Sequence, residues 1–323
     1  MAPSSPHIAI LGSLNIDCVS YVPHHPFPGE TLTANHFTVA PGGKGANQAV
    51  ACAKLSRSAS NLDHGSAHVS MVGAVGSDGH GATIRKCLES HGVDVSGIRI
   101  VDDAKTGIAI IIVDEPDGQN RIILSPQANS SLRPAHFAAG LPAPRPDLLV
   151  MQLEIPIDTV LTALDAARAA SVPVLLNPAP AQALPLDAYR RLAHLVVNET
   201  EASILSACAE SDLDDPAGLR RVAGLFLERG VDNVVITLGA RGVFYASSTS
   251  GTCALVPAQK CHVVETTAAG DTFVGSYALA VVHATGTDAF NIDAAVKAAN
   301  RAAAITVSRT GSLASIPWRD ELE

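Results

Sequence analysis

The feature that most limits the fold is a recurrence of short, nearly continuous aliphatic runs: HIAILGS, HVSMVGAVGS, GIAIIIVD, DLLVMQLE, VPVLLNPA, HLVVNETE and VDNVVITLG. Many are followed by helix-compatible sequence. A strand that is apolar on both faces must be covered on both faces, which is the condition of a parallel sheet with crossover helices. IDTVLTALDAARAAS, between two such runs, has apolar residues at helical spacing, so DLLVMQLE to VPVLLN is predicted to be a right-handed βαβ unit. DPAGLRRVAGLFLERG before VDNVVITLG repeats the arrangement, with Pro216 near the helix start and Gly230 at its C-cap. The fold class is α/β.

Two stretches lack intervening helix patterns and alternate around turn signals such as PDGQN: DCVSYVPHHPFPGETLTANHFTVA and RIVDDAKTGIAIIIVDEPDGQNRIILS. They read as antiparallel strands of a small sheet, from segments about 16–41 and 100–125, that covers the main sheet as a lid within a single domain spanning 1–323. The polar stretch 56–68 reads as an extended helix-to-strand loop, and HFAAGLPAPRPD as a surface connection.

With 323 residues, 47% of them hydrophobic, the chain can bury a large aliphatic core. A net charge of -9 argues against nucleic acid or an anionic membrane surface, since either demands a basic face. The six cysteines, at 18, 52, 87, 208, 253 and 261, form no CxxC pair and read as reduced thiols. With no secretory pattern at the N-terminus, no apolar run of about 18 residues and no peroxisomal tripeptide, the expected compartment is the cytoplasm.

Ligands of an open parallel sheet collect beyond the carboxyl ends of its strands, and the residues just after the aliphatic runs are polar: Asn15 and Asp17, Glu154, Asn177, then Asn198, Glu199 and Glu201. Each alone is an ordinary cap or turn residue; together they outline a polar crest. In ETTAAGDTFVGSYALAVV, Ala268, Ala269 and Gly270 lead into Asp271 and an apolar helix, and free N–H groups at such a helix start make an anion cradle. Asp271 is then either a first-turn acid favoured by the helix dipole or a general base beside an anion hole, which together imply transfer to an alcohol. Gly239 and Gly242 of TLGARG can turn backbone N–H groups toward a ligand.

APGGKGANQAV poses a narrower question, because a glycine-flanked lysine suggests phosphate. A P-loop would need a glycine where Thr38 stands and a Ser or Thr where Gly45 stands, so Lys44 does not belong to one. Lys44 is either a solvated cation in a glycine loop or, with Asn47 and the close approach that Gly42 and Gly43 permit, a donor to hydroxyls. Asn15 and Asp17 add the amide and carboxylate that suit vicinal hydroxyls of a sugar. There is no HExxH, no zinc-like His/Cys spacing, no GxSxG and no GxGxxG after the first strand.

Taken together, LGSLNID, PGGKGANQAVA, MQLE, LNPAPA, NETEA, TLGARG, AAGDTF and SRTGSLASIPWR resemble the PfkB carbohydrate kinases over nearly the whole chain, and within them the branch that phosphorylates ribose. The resemblance implies a Rossmann-like three-layer α/β/α sandwich with a mostly parallel central sheet and a small β-sheet lid. It implies ATP-dependent phosphorylation of D-ribose at O5, with Asn15, Asp17, Gly43, Lys44, Asn47 and Glu154 on the sugar hydroxyls. Asp271 would be the base, with the amides of Ala269, Gly270 and Asp271 as the anion hole. Asn198 and Glu201 would organise Mg2+ and phosphates through water, Thr237, Gly239 and Gly242 would line the ATP site, and Asn300 would lie near the adenine. A K+ ion would take Glu265, Thr267, Thr306, Arg309, Gly311 and Ser315, several through carbonyls, as a structural activator. The chain departs from the family in having Glu265 where Asp is usual and in the insertion around 56–68. A homodimer through the lids is implied as well. The alternatives are a related kinase for 2-deoxyribose, fructose or a nucleoside such as adenosine, and a non-catalytic sugar sensor on the same scaffold.

Overall fold

The computed structural model describes residues 5–116, 118–284 and 290–322. From the N-terminus the chain forms β1 (His7–Leu11), β2 (Asn15–Val22), β3 (His36–Gly42), α1 (Lys44–Ser56), β4 (His68–Gly76), α2 (Gly79–Ser90), β5 (Ile98–Val101), β6 (Gly107–Asp114) and β7 (Asn120–Ser125). It continues through β8 (Leu148–Met151), α3 (Ile157–Ala169), β9 (Val174–Leu176), β10 (Leu192–Asn198), α4 (Glu199–Ser206), α5 (Pro216–Glu228) and β11 (Val231–Thr237). It ends with β12 (Val243–Ser247), β13 (Cys253–Val256), α6 (Ala269–His283) and α7 (Ile292–Val307).

Nine strands make the large sheet in the order β13-β12-β11-β10-β9-β8-β1-β4-β5, parallel except at β11–β12 and β12–β13. Side chains alternate across it, as the pleat requires. Ile8 and Ile10 of β1, with Val69 and Met71 of β4 and Leu148 and Val150 of β8, lie in the core under α1, α2, α6 and α7. Ala9 and Leu11, with Leu149 and Met151, lie in the second core under α3, α4 and α5. Except for GIAIIIVD, which is β6 and leaves Ile110 45% exposed, the continuous aliphatic runs are therefore strands buried on both faces. α5 starts on Asp215, whose carboxylate accepts from the Gly218 amide, has Pro216 at its first position, and ends ahead of Gly230 at φ 102.

The small sheet has the order β3-β2-β6-β7. Two expectations change here. Residues 100 and 101, read as part of the lid, belong to β5 and pair in parallel with β4 in the large sheet, so the second lid segment begins at β6. β2 and β6 pair in parallel, so the small sheet is mixed rather than wholly antiparallel. These strands lie far apart in sequence, and no hairpin joins them. The PDGQN turn includes Asp117, outside the described residues.

The polar stretch after α1 is organised by Arg57. This buried guanidinium donates to the carbonyls of Leu62, Gly92 and Ala67 at 2.9, 2.9 and 3.2 Å. Arg57→Met leaves those carbonyls without their charged donor and is expected to cost about 2–4 kcal/mol of folding stability. Urea titration measures it; an unchanged midpoint would show that the loop holds itself.

Candidate active site

The site starts where β3 hands over to α1. Gly43 turns the chain at φ 90, in the region that favours glycine, and a Cβ there would lie 2.9 Å from the Asn15 nitrogen. A Cβ on Gly42 would run into the Asp17 carboxylate. The two glycines thus bring the first turn of α1 against the first residues of β2. Lys44, Asn47 and Gln48 project from that turn, and no acid in it competes with them.

α6 begins opposite. Ala268 caps it in the left-handed region at φ 61, and Thr272 N–H donates back to the Ala268 carbonyl at 2.8 Å. The N–H groups of Gly270 and Asp271 have no partner among the described residues. The Ala269 N–H is engaged: it donates to the Thr266 carbonyl at 3.3 Å. The expected cradle of three amides therefore offers two free ones. Asp271 is buried, and both its oxygens are held from α1, Oδ2 by Asn47 Nδ2 and Oδ1 by Gln48 Nε2, each at 2.9 Å. Gln48 is itself fixed, since its Oε1 accepts from Gln152 Nε2 at 2.6 Å and its Nε2 also reaches Asn177 Oδ1 at 3.0 Å.

On the lid side, Glu154 Oε2 accepts from Ser13 Oγ at 2.5 Å, from the Lys44 amide at 3.0 Å and from Asn15 Nδ2 at 3.5 Å. Asn15 Oδ1 accepts from Asn129, whose buried amide also bonds Leu14 N and O. The carboxylate of Asp17 and the ammonium of Lys44 have no hydrogen-bond partner among the described residues. Burial, with the charges of Glu154 and Asp271 added, pushes the Asp17 carboxyl up to about 7. Burial works against the Lys44 ammonium, but Asp271, Glu154 and Glu201 together outweigh it and raise its pKa. Burial also raises Glu201, against the Asn198 amide and Lys44, with Asp271 adding to the rise. Three acidic side chains thus act on one lysine.

Two cavities meet at the start of α6. The larger, about 580 Å³, is lined by Thr237, Gly239, Gly242, Ala269, Gly270 and Asn300 among others. The smaller, about 230 Å³, is lined by Lys44, Asn198, Glu201 and Asp271, and shares Thr237, Thr266 and Gly270 with the first. Gly239 and Gly242 turn at φ 54 and 103. Asn198 and Glu201 form a reciprocal capping box at the start of α4. The Asn300 amide donates to the Pro257 carbonyl at 2.8 Å, so it braces the wall of the larger cavity.

Of the residues expected around K+, Glu265 and Gly311 are in direct contact. Glu265 Oε2 accepts from Gly311 N–H at 2.8 Å, so the longer acid spans to the C-terminal segment. The hydroxyls of Thr306 and Ser315 are spent on Thr272 and on the Ser312 carbonyl, and the Arg309 guanidinium on Glu321. The second carboxylate oxygen of Glu265, the Thr267 hydroxyl and main-chain carbonyls remain as oxygen donors there. Among the described residues no cluster of three or more His, Cys, Asp or Glu could hold a metal ion.

Sequence reasoning missed the supports. Gln48 and Gln152 stood inside quoted motifs, but nothing in their spacing showed that they meet. Ser13 and Ser312 likewise stood inside such motifs and Asn129 in none, and the partners of all three lie 32 to 265 residues away.

The model of the pfkB family of carbohydrate kinases matches residues 5–319. The ribokinase of Schizosaccharomyces pombe is 41% identical over 318 residues, covering 96% of this chain and 95% of that protein. The crystal structure of the Thermotoga maritima ribokinase superposes with a TM-score of 0.80 at 35% identity, covering 98% of this chain and 97% of the other. The Arabidopsis thaliana ribokinase complexed with ribose and ATP gives a TM-score of 0.84 at 27% identity, covering 99% and 98%.

Asp17 makes the site pH-sensitive. An acid raised in the folded state adds stability while protonated, and that stability is lost as pH climbs through about 7. Asp17→Asn is therefore expected to melt higher than the parent at pH 8, with the gap closing toward pH 5. Scanning calorimetry at the two pH values checks this, and an equal gap at both would refute it.

Proposed function

Because the chain belongs to the pfkB family of carbohydrate kinases, we propose that it phosphorylates D-ribose at O5 with ATP, giving D-ribose 5-phosphate. One observation carries the reading. Asp271 is held by two amide donors next to two helix-start amides, between the Asp17 carboxylate and Lys44 ammonium on one side and the larger cavity on the other, and among the described residues neither those amides nor those two charged groups have a hydrogen-bond partner. A structural first-turn acid has no need of that setting.

Ribose hydroxyls would donate to Asp17 and Glu154 and accept from Asn15, Lys44 and Asn47, with the Gly43 backbone close by. Asp271 takes the proton of the 5-hydroxyl as that oxygen bonds to the γ-phosphorus. The bond from phosphorus to the bridging oxygen breaks and ADP leaves. The Gly270 and Asp271 amides receive the charge on the transferring phosphoryl oxygens. Lys44 answers to the sugar and to the surrounding carboxylates rather than to a P-loop phosphate.

Glu201 and Asn198 suit a hydrated Mg2+ carried with the triphosphate, since acidic side chains outnumber the one ammonium at this junction. When bound, Mg2+ neutralises phosphate charge. The oxygen donors at Glu265 and the carbonyls of Thr267, Thr306, Arg309, Gly311 and Ser315 suit a monovalent cation such as K+. A lid-to-lid homodimer fits the outer face of the small sheet, where Val39, Cys18, Ile110 and Ile123 form one cross-strand row with Ile123 60% exposed. Six unpaired cysteines suit the cytoplasm.

Coupled ADP release with ribose, ATP and Mg2+, with and without K+, tests the reading. Asp271→Ala should still bind ribose and lose turnover by about 10²- to 10⁴-fold. 2-Deoxyribose should show kcat/KM at least about 10-fold lower, because it leaves buried polar groups unmatched. Normal turnover by the Asp271 variant, or no turnover of any sugar by the parent, would refute the assignment.

A further inference from the structure

We propose that Ser312, on the segment after α7, is a positioning residue that fixes the Asn47 amide in the orientation in which its NH2 group faces Asp271. The argument starts from donor and acceptor chemistry. A carboxylate only accepts, so the end of Asn47 that lies 2.9 Å from Asp271 Oδ2 must be Nδ2. That turns Asn47 Oδ1 the other way, toward Ser312 Oγ at 3.1 Å. A carbonyl oxygen also only accepts, so the serine hydroxyl must donate. Ser312 thereby sets the amide's direction, 265 residues from it in sequence.

The segment that presents Ser312 is anchored independently of the amide. Gly311 N–H is held by Glu265, Ser315 Oγ donates to the Ser312 carbonyl, and Lys54 Nζ donates to the Leu313 carbonyl at 3.3 Å. Leu313 and Ile316 are buried in the core. Lys54 lies on α1, the helix that carries Asn47, with its ammonium 5.2 Å from the centre of the Trp318 ring. The hydroxyl and the amide are thus fastened to a common frame. With alanine at 312 the amide oxygen loses its donor, and the side chain is then held at one end only, by the carboxylate. Gln48 still donates to Asp271, so the loss is partial.

The inference rests on Asp271 being the base of the proposed kinase. Steady-state assays on the parent test that reading; the variants, compared with the parent, test Ser312. Ser312→Ala is expected to lower kcat about 3- to 20-fold at unchanged KM for ATP, and Ser312→Thr, which keeps the hydroxyl, to restore most of it. In an Asn47→Ala background the same change should have no further effect, because its route to Asp271 is gone. Hydrogen exchange of the Asn47 side-chain amide by NMR, which needs no turnover, should be faster in Ser312→Ala. Unchanged exchange, parental kcat in Ser312→Ala, or an equal fall in the Asn47→Ala background would overturn the proposal.

Discussion

The contact on which the rest of the site depends is the grip of α1 on the first turn of α6. The Asp271 carboxylate is fixed because Asn47 and Gln48 hold both its oxygens, and they reach it only because the two helices pack closely. Small residues make that approach possible. A Cβ on Gly275 would lie 2.5 Å from the Cβ of Ala51, and Ala46, Ala49 and Ala53 are all fully buried on α1. A larger side chain at this seam would push the helices apart and lengthen both hydrogen bonds. The packing of an aliphatic core and the geometry of the buried Asp271 carboxylate are here one constraint.

The electrostatics follow from the same placement. Glu154, Glu201 and Asp271 converge on Lys44, Glu154 and Asp271 also act on Asp17, and burial withholds the water that would screen them. The result is a raised acid at Asp17, a raised ammonium at Lys44 and an excess of negative charge toward the nucleotide side. Such a site is poorly satisfied alone. Under the proposed function it would be completed by hydroxyl donors, which Asp17 lacks among the described residues, and by a cation accompanying phosphate. The geometry prefers its ligands by leaving its own groups wanting.

Much of this was legible because each legible part has a local cause. Continuous aliphatic runs mark strands covered on both faces, and β1, β4, β8, β10 and β11 fall on them. The glycine pair before Lys44 and the small residues before Asp271 mark backbone that must approach something closely. What stayed hidden depends on partners far along the chain. β5 is four residues long with Arg99 inside it, too short and too polar to separate from the lid by pattern. The β2–β6 pairing joins segments about ninety residues apart. Spacing left Asp271 open between a dipole acid and a base, because the difference lies in Asn47 and Gln48, more than two hundred residues earlier. Nor could it show that the Ala269 amide is already occupied.

The division of the sugar side between two sheets has a consequence for how the site is held. Asn15 and Asp17 stand at the start of β2 in the small sheet, while Glu154 follows β8 of the large one and Asp271 opens α6. Only residues 12 to 14 separate β1 from β2, and this link would be pliable on its own. Asn129 removes that freedom: it accepts from Leu14 N, donates to Leu14 O and donates to Asn15 Oδ1, pairing with the link as a neighbouring strand would. Asn129 lies in the short turn of helix after β7, so the exit from the small sheet clamps its entrance. The amide of Asn15 is thereby aimed at Glu154 from a fixed point, set by one fully buried side chain.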